Sequence, residues 1–276
     1  MANRTITSTS TTLLTALGGT VSAGDAVYID QYPTQFVTGD ISANAIISCT
    51  LTAGFSGQFA AALGTPLKID LSSGAPKRLA NYSNAARVEV ISTSSAGVID
   101  EIIHNPAGGG YMQVNTCVAT KVYVLNGTLD LESLVDLSGA TVEVSGGSCR
   151  MLKTAAAATY PVLTLTVGGS GQAEILRDVG TLNAEGGGTV RISESQCSPT
   201  TVNMRGGTVV INQCSAIGTL QGASGVIDLR NNKTPFTVTT RALGPGVTIL
   251  RSANTIDPTY TSTTGDYGGG PVVRTV

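Results

Sequence analysis

Two short patterns alternate along residues 164–251. The first is Thr, an aliphatic residue, then a polar one. It occurs as Thr164-Leu165-Thr166, Thr181-Leu182-Asn183, Thr201-Val202-Asn203, Thr219-Leu220-Gln221 and Thr237-Val238-Thr239, at spacings of 17, 20, 18 and 18 residues. The second is a Gly that opens an alternating stretch. Its copies begin at Gly171, Gly188, Gly207, Gly225 and Gly246, at spacings of 17, 19, 18 and 21 residues. Alternate residues of a strand share a face. In the stretch after Gly188, Val190 and Ile192 therefore face one way, and Thr189 and Arg191 the other. Val209 and Ile211, then Ile227 and Leu229, take the same places in later copies. One copy cannot bury its apolar face, but stacked copies share a continuous core. A period of about 18–20 residues fits a β-helix coil, whereas a propeller blade needs about 40.

The pattern predicts an all-β chain with a parallel β-helix (β-solenoid) over residues 115–256. Gly187-Gly188 and Gly206-Gly207 supply the tight corners before strands. Around residues 121–144 the steps are shorter, and Asn126-Gly127 is also a hairpin signal, so antiparallel hairpins are an alternative there. Residues 13–114 read as a less regular N-terminal β region, a cap or attachment domain. Its strand candidates are Ala26–Ile29, Ala45–Leu51, Pro66–Leu71, Val88–Ser92 and Tyr111–Val118. Residues 1–12 read as a flexible N-terminal arm and 257–276 as a flexible C-terminal tail. Only Phe59–Leu63 and Met151–Ala158 look helical.

Composition agrees with this picture. Val, Ile, Leu and Ala dominate the apolar residues. The 276-residue chain has 41% hydrophobic and only 12% charged residues, about half the usual charge. Disorder needs the opposite balance. A net charge of −2 gives no basic field for nucleic acid, and Lys77-Arg78 reads as a solvated loop. The five Cys (Cys49, Cys117, Cys149, Cys197 and Cys214) contain no CxxC and read as buried free thiols. The first residues lack an apolar h-region, and no run reaches the ~18 apolar residues of a membrane helix. The expectation is a soluble protein made in a reducing cytoplasm.

Candidate chemistry is sparse. The single histidine, His104, lies in Ile102-Ile103-His104-Asn105-Pro106 and reads as a polar residue where a strand enters a turn. The Gly-rich stretches lead into strands, unlike phosphate loops, which precede a helix. A polysaccharide-cleaving β-helix would need paired carboxylates roughly 5–9.5 Å apart. Glu174, Glu185, Glu194 and Asp228 are the candidates, but they do not recur at equivalent places in the repeat. Exposed aromatics for gripping sugars are also few, with no Trp in the chain and only Phe236 between 164 and 251. Polar groups in loops or clefts can bind a glycan without them. Cys197 and Cys214 lie about one coil apart; a disulfide between them is geometrically possible, and packed thiols are the reading preferred. The Asp residues form no Ca²⁺ loop. No catalytic, cofactor-binding or metal-binding residue is assigned, and the chain is expected not to be an enzyme.

The Gly-Thr-Val rungs of 164–251, the Thr-rich start and the turn Val21-Ser22-Ala23-Gly24-Asp25-Ala26-Val27 resemble β-helical structural proteins of tailed-phage virions. Capsid decoration (cement) proteins and tail-spike-like proteins are the relevant groups. About a third of the chain carries the specific repeat. The resemblance implies a virion protein made in the host cytoplasm. It further implies a homotrimer on the shell that contacts the major capsid protein or other virion proteins, with no nucleic acid or membrane partner. The chain ends would clamp neighbouring subunits. A receptor- or glycan-binding spike is the alternative.

Overall fold

Alternation of apolar and polar residues sets each strand, and successive coils bring equivalent strands side by side. In the computed structural model, which describes residues 2–7, 12–30, 38–63, 65–71, 76–92, 98–152, 161–262 and 265–276, 57% of the chain is strand and 2% helix. Parallel strands stack into a β-solenoid of about 11 turns. Two compact units share them, Met1–Asp136 and Leu137–Val276.

The first unit contains β1 (Asn3–Thr5), a one-turn helix α1 (Leu13–Ala16), β2 (Ala26–Ile29), β3 (Gly39–Asp40), β4 (Ser48–Leu51) and β5 (Leu67–Ile69). It continues with β6 (Arg78–Asn81), β7 (Arg87–Ser92), β8 (Val98–His104), β9 (Tyr111–Val124) and β10 (Thr128–Asp136). One parallel ladder runs β1, β2, β4, β6, β8 and the second half of β9. The other runs β3, β5, β7, the first half of β9, and β10. The region expected to be irregular is thus itself made of rungs, which its long and unequal loops hide from a search for periodicity. Val27, Cys49, Leu79, Ile102 and Val122 stack in one fully buried inward column.

The hairpin alternative fails at Asn126-Gly127. Thr128–Leu131 pairs in parallel with Tyr111–Val114, one coil earlier in β9, and not with the end of β9 at Val124 just before the turn. Gly127 has φ +74°, and a Cβ there would lie 2.4 Å from the Gly110 carbonyl oxygen. The Asn-Gly step therefore makes a tight corner between coils. Of the helix-like stretches, Ala61–Leu63 is a single 3₁₀ turn, and the second lies outside the described residues beyond Leu152.

The segment read as an arm carries β1, held by Asp25. This buried carboxylate accepts the backbone N–H of Ala2 at 2.8 Å, that of Ser22 at 3.0 Å and Arg4 Nε at 2.8 Å. The Arg4 hydrogen bond and the Ser22 amide hold its pKa at about 2, below the ordinary 3.8. The stabilisation is present above pH 4 and fades as pH falls through about 2. Asp25→Asn is expected to lose about 1–2 kcal/mol at pH 7, solvent near the site discounted. Urea unfolding checks this, and an unchanged midpoint would contradict it.

The second unit contains β11 (Thr141–Val144), β12 (Ser148–Met151), β13 (Val162–Val167), β14 (Gln172–Ile175), β15 (Val179–Glu185) and β16 (Thr189–Ser193). The long strands β17 (Thr201–Gln213), β18 (Ala216–Asp228) and β19 (Thr237–Arg251) follow, then β20 (Thr259–Ser262) and β21 (Val272–Thr275). Each long strand serves two ladders, bending between them at a break in register, as at Arg205–Thr208 in β17. Gly206 there has φ +94°. The segment read as a tail likewise supplies two rungs, since β20 and β21 both pair with β19.

Inward positions are aliphatic and closely stacked. Val142, Leu165, Leu182, Val202 and Leu220 form one column, and Cys149, Ala173, Val190, Val209, Ile227 and Ile249 another. The repeat copies align as the sequence predicts up to β18. In the next coil Thr219 pairs with Thr240 rather than Thr237, and Gly225 with Val247. The last Thr copy is thus displaced by three residues and the last Gly copy by one, because this coil is longer than the one before it.

Candidate functional site

The residues singled out in the sequence separate in space. His104 occupies an inward place, in the column Ile29, Leu51, Asn81, His104 and Val124, and is fully buried. Its Nε2 lies 3.1 Å from the Gly110 carbonyl oxygen, and its Nδ1 3.4 Å from Asn81 Nδ2. These partners fit a neutral ring that donates from Nε2 and accepts at Nδ1. Burial lowers its pKa from 6.5 to about 4, against the opposing effect of the Gly110 carbonyl.

The four candidate carboxylates each meet a different partner. Glu174, on β14, stands in register between Arg150 and Arg191. Glu185 pairs with Arg205 at 3.3 Å, and Asp228 with Arg230 at 2.7 Å. Glu194 accepts the Ser195 hydroxyl at 3.0 Å. Asp228 has its pKa lowered by the Arg230 hydrogen bond, the wrong direction for a general acid. In the basic pair, Arg78 lies 2.9 Å from Glu101, and the Lys77 backbone amide donates to the Asp100 carboxylate.

All five thiols are free and buried. Cys214 Sγ donates to the Cys197 carbonyl at 3.2 Å, and Cys197 Sγ to the Arg177 carbonyl at 2.9 Å. Burial pushes the Cys214 thiol up to about 12 and raises Cys197 too. Both are therefore neutral, unreactive thiols at pH 7. Burial also raises Asp178, which accepts the Ser198 amide at 2.8 Å.

The outward positions of the second unit are more informative. Thr141, Thr164, Thr181, Thr201, Thr219, Thr240 and Ser262 occupy one register column, a row of hydroxyls at rung spacing of about 4.8 Å. Two positions along lie Glu143, Thr166, Asn183, Asn203, Gln221 and Ala242. Here the side chains bond from rung to rung. Asn183 Nδ2 donates to Thr166 Oγ1 at 3.2 Å, Asn203 Nδ2 to Asn183 Oδ1 at 2.8 Å, and Gln221 Nε2 to Asn203 Oδ1 at 2.8 Å. Such amide ladders stabilise stacked strands. The third place of the Thr-aliphatic-polar motif announces this ladder, but only the register shows that its members touch.

The ladder stops at Ala242, beside a surface groove of about 380 Å³. Asn203, Arg205, Gln221, Ser224, Ala242 and Tyr267 are among the residues that line it. Tyr267 comes from the segment between β20 and β21, within the residues expected to form a flexible tail. Asp266 fixes that segment: its carboxylate accepts from Arg241 and from the Leu243 amide. The Tyr267 ring rests on Gly244, where a Cβ would lie 2.7 Å from the ring. Neither Tyr267 nor Asp266 carries a motif that would mark it in the sequence.

Searches against protein-family models, curated proteins and solved structures return no match.

Proposed function

We propose that this chain is a structural protein of a tailed-phage particle, a capsid decoration protein that assembles as a homotrimer on the shell. The observation that carries the reading is the outward surface of the second unit. Its hydroxyl and amide columns repeat at rung spacing, and the amides bond to one another along the stack. Side chains so constrained give a stiff surface that loses little entropy when a partner covers it. Burial of complementary surface against neighbouring copies and the major capsid protein would then do the work, with no bond made or broken. The sequence resemblance to virion solenoids supports the same reading. On this reading the protein joins the virion after synthesis in the host cytoplasm.

Sedimentation of the purified chain, alone and mixed with phage shells stripped of their surface proteins, tests this. The expected results are a species of three times the monomer mass and cosedimentation with the shells up to a saturating stoichiometry. A monomer that leaves the shells bare would refute the reading.

A further inference from the structure

We propose that the groove at the end of the amide ladder binds a neutral saccharide. The inference goes beyond the particle role and stands on the groove alone. At about 380 Å³ it lies at the small end of ligand sites, room for roughly one or two sugar rings. A sugar presents adjacent hydroxyls, each both donor and acceptor, around a ring with an apolar C–H face. A site for it needs planar polar groups that meet paired hydroxyls and a flat aromatic for that face.

Both are in place. In the ladder each amide nitrogen donates toward the preceding rung, so each carbonyl is left to accept from the rung that follows. At Gln221 the following rung offers Ala242, which has no donor side chain. The Gln221 carbonyl is thus the open end of a bonded row, with its nitrogen already engaged by Asn203. Arg205 is 68% exposed at the groove and presents further planar donors. Its contact with Glu185 balances its charge, which favours a neutral ligand over an anion. The Ser224 hydroxyl adds a group that can donate or accept. Tyr267, 48% exposed, gives the aromatic wall, and Ala242 gives a small apolar floor. The wall is preorganised, since Asp266 ties its segment to Arg241 and to the Leu243 amide while Gly244 seats the ring. Little ordering remains to oppose binding.

The test uses the full chain and an array of immobilised neutral oligosaccharides built from hexose and N-acetylhexosamine units, with sialylated and sulfated glycans as the charged arm. Neutral glycans are expected to bind. Tyr267→Ala should weaken that binding by up to about tenfold, the scale of one aromatic contact, and Tyr267→Phe should leave it within about threefold. Gln221→Ala should weaken it several-fold and keep the fold, because Ala242 already fills the equivalent place one rung on. Melting temperatures read alongside separate loss of the site from loss of the structure. No binding of neutral glycans at millimolar concentration, binding of charged glycans only, or equal binding by folded Tyr267→Ala and the unaltered chain would each overturn the proposal.

Discussion

Leu182→Ala is expected to destabilise the second unit by about 3–4 kcal/mol, whereas Asn183→Ala, one residue along, should change it by about 1 kcal/mol or less. Leu182 is fully buried and lies in register between Leu165 and Val202, so its removal leaves a void among side chains fixed by the ladder. The backbone of each rung bonds to the coils on either side, so the stack cannot collapse into the gap without breaking ladder bonds. That places the cost toward the upper part of the range for buried leucine. Asn183 faces outward and makes side-chain bonds to Thr166 and Asn203 that water can replace. Denaturant unfolding of both variants checks the contrast. Comparable losses would mean that the two faces are assigned wrongly.

Acidification from pH 7 to pH 4 should remove roughly 3 kcal/mol of stability through His104. The folded pKa of about 4 lies below the ordinary 6.5, so the unfolded chain binds the proton first. Stability is fully present above about pH 6.5, declines as pH falls toward 4, and then levels off. Most of this loss falls above the range in which exposed carboxylates titrate. His104→Gln retains a polar side chain in the column but has no titration there. It should be less stable than the unaltered chain at pH 7 and nearly flat between pH 6.5 and 4.5. An equal acid dependence in both proteins would show that another group is responsible.

The fold was legible where the loops are short. The Gly188 and Gly207 stretches share a register because their coils differ by few residues, and the parallel ladder follows from that periodicity. In residues 13–114 the rungs are present but the loops between them vary. Gly39–Asp40, a two-residue strand, has too little sequence to show any alternation. Asn126-Gly127 kept a hairpin open as an alternative because a positive-φ corner has the same composition whether the chain turns back or climbs one rung. The clamping role of Asp25 and of Asp266 left no mark in the sequence for a related reason. Each acts by collecting donors from distant residues, and one carboxylate in a polar loop looks like any other. The groove illustrates the same limit. Gln221 was visible as the last amide of a motif, but Tyr267 reaches it only through a strap whose course depends on Asp266 and Gly244.

The proposed role makes this solenoid a repeated surface component of a phage particle. Electron cryo-microscopy of the native particle, with the copies of this chain counted, tests it most directly. The proposed role predicts density in threefold groups spread over an icosahedral shell, with hundreds of copies per particle. A few copies confined to a tail or fibre, or none on the particle, would contradict it.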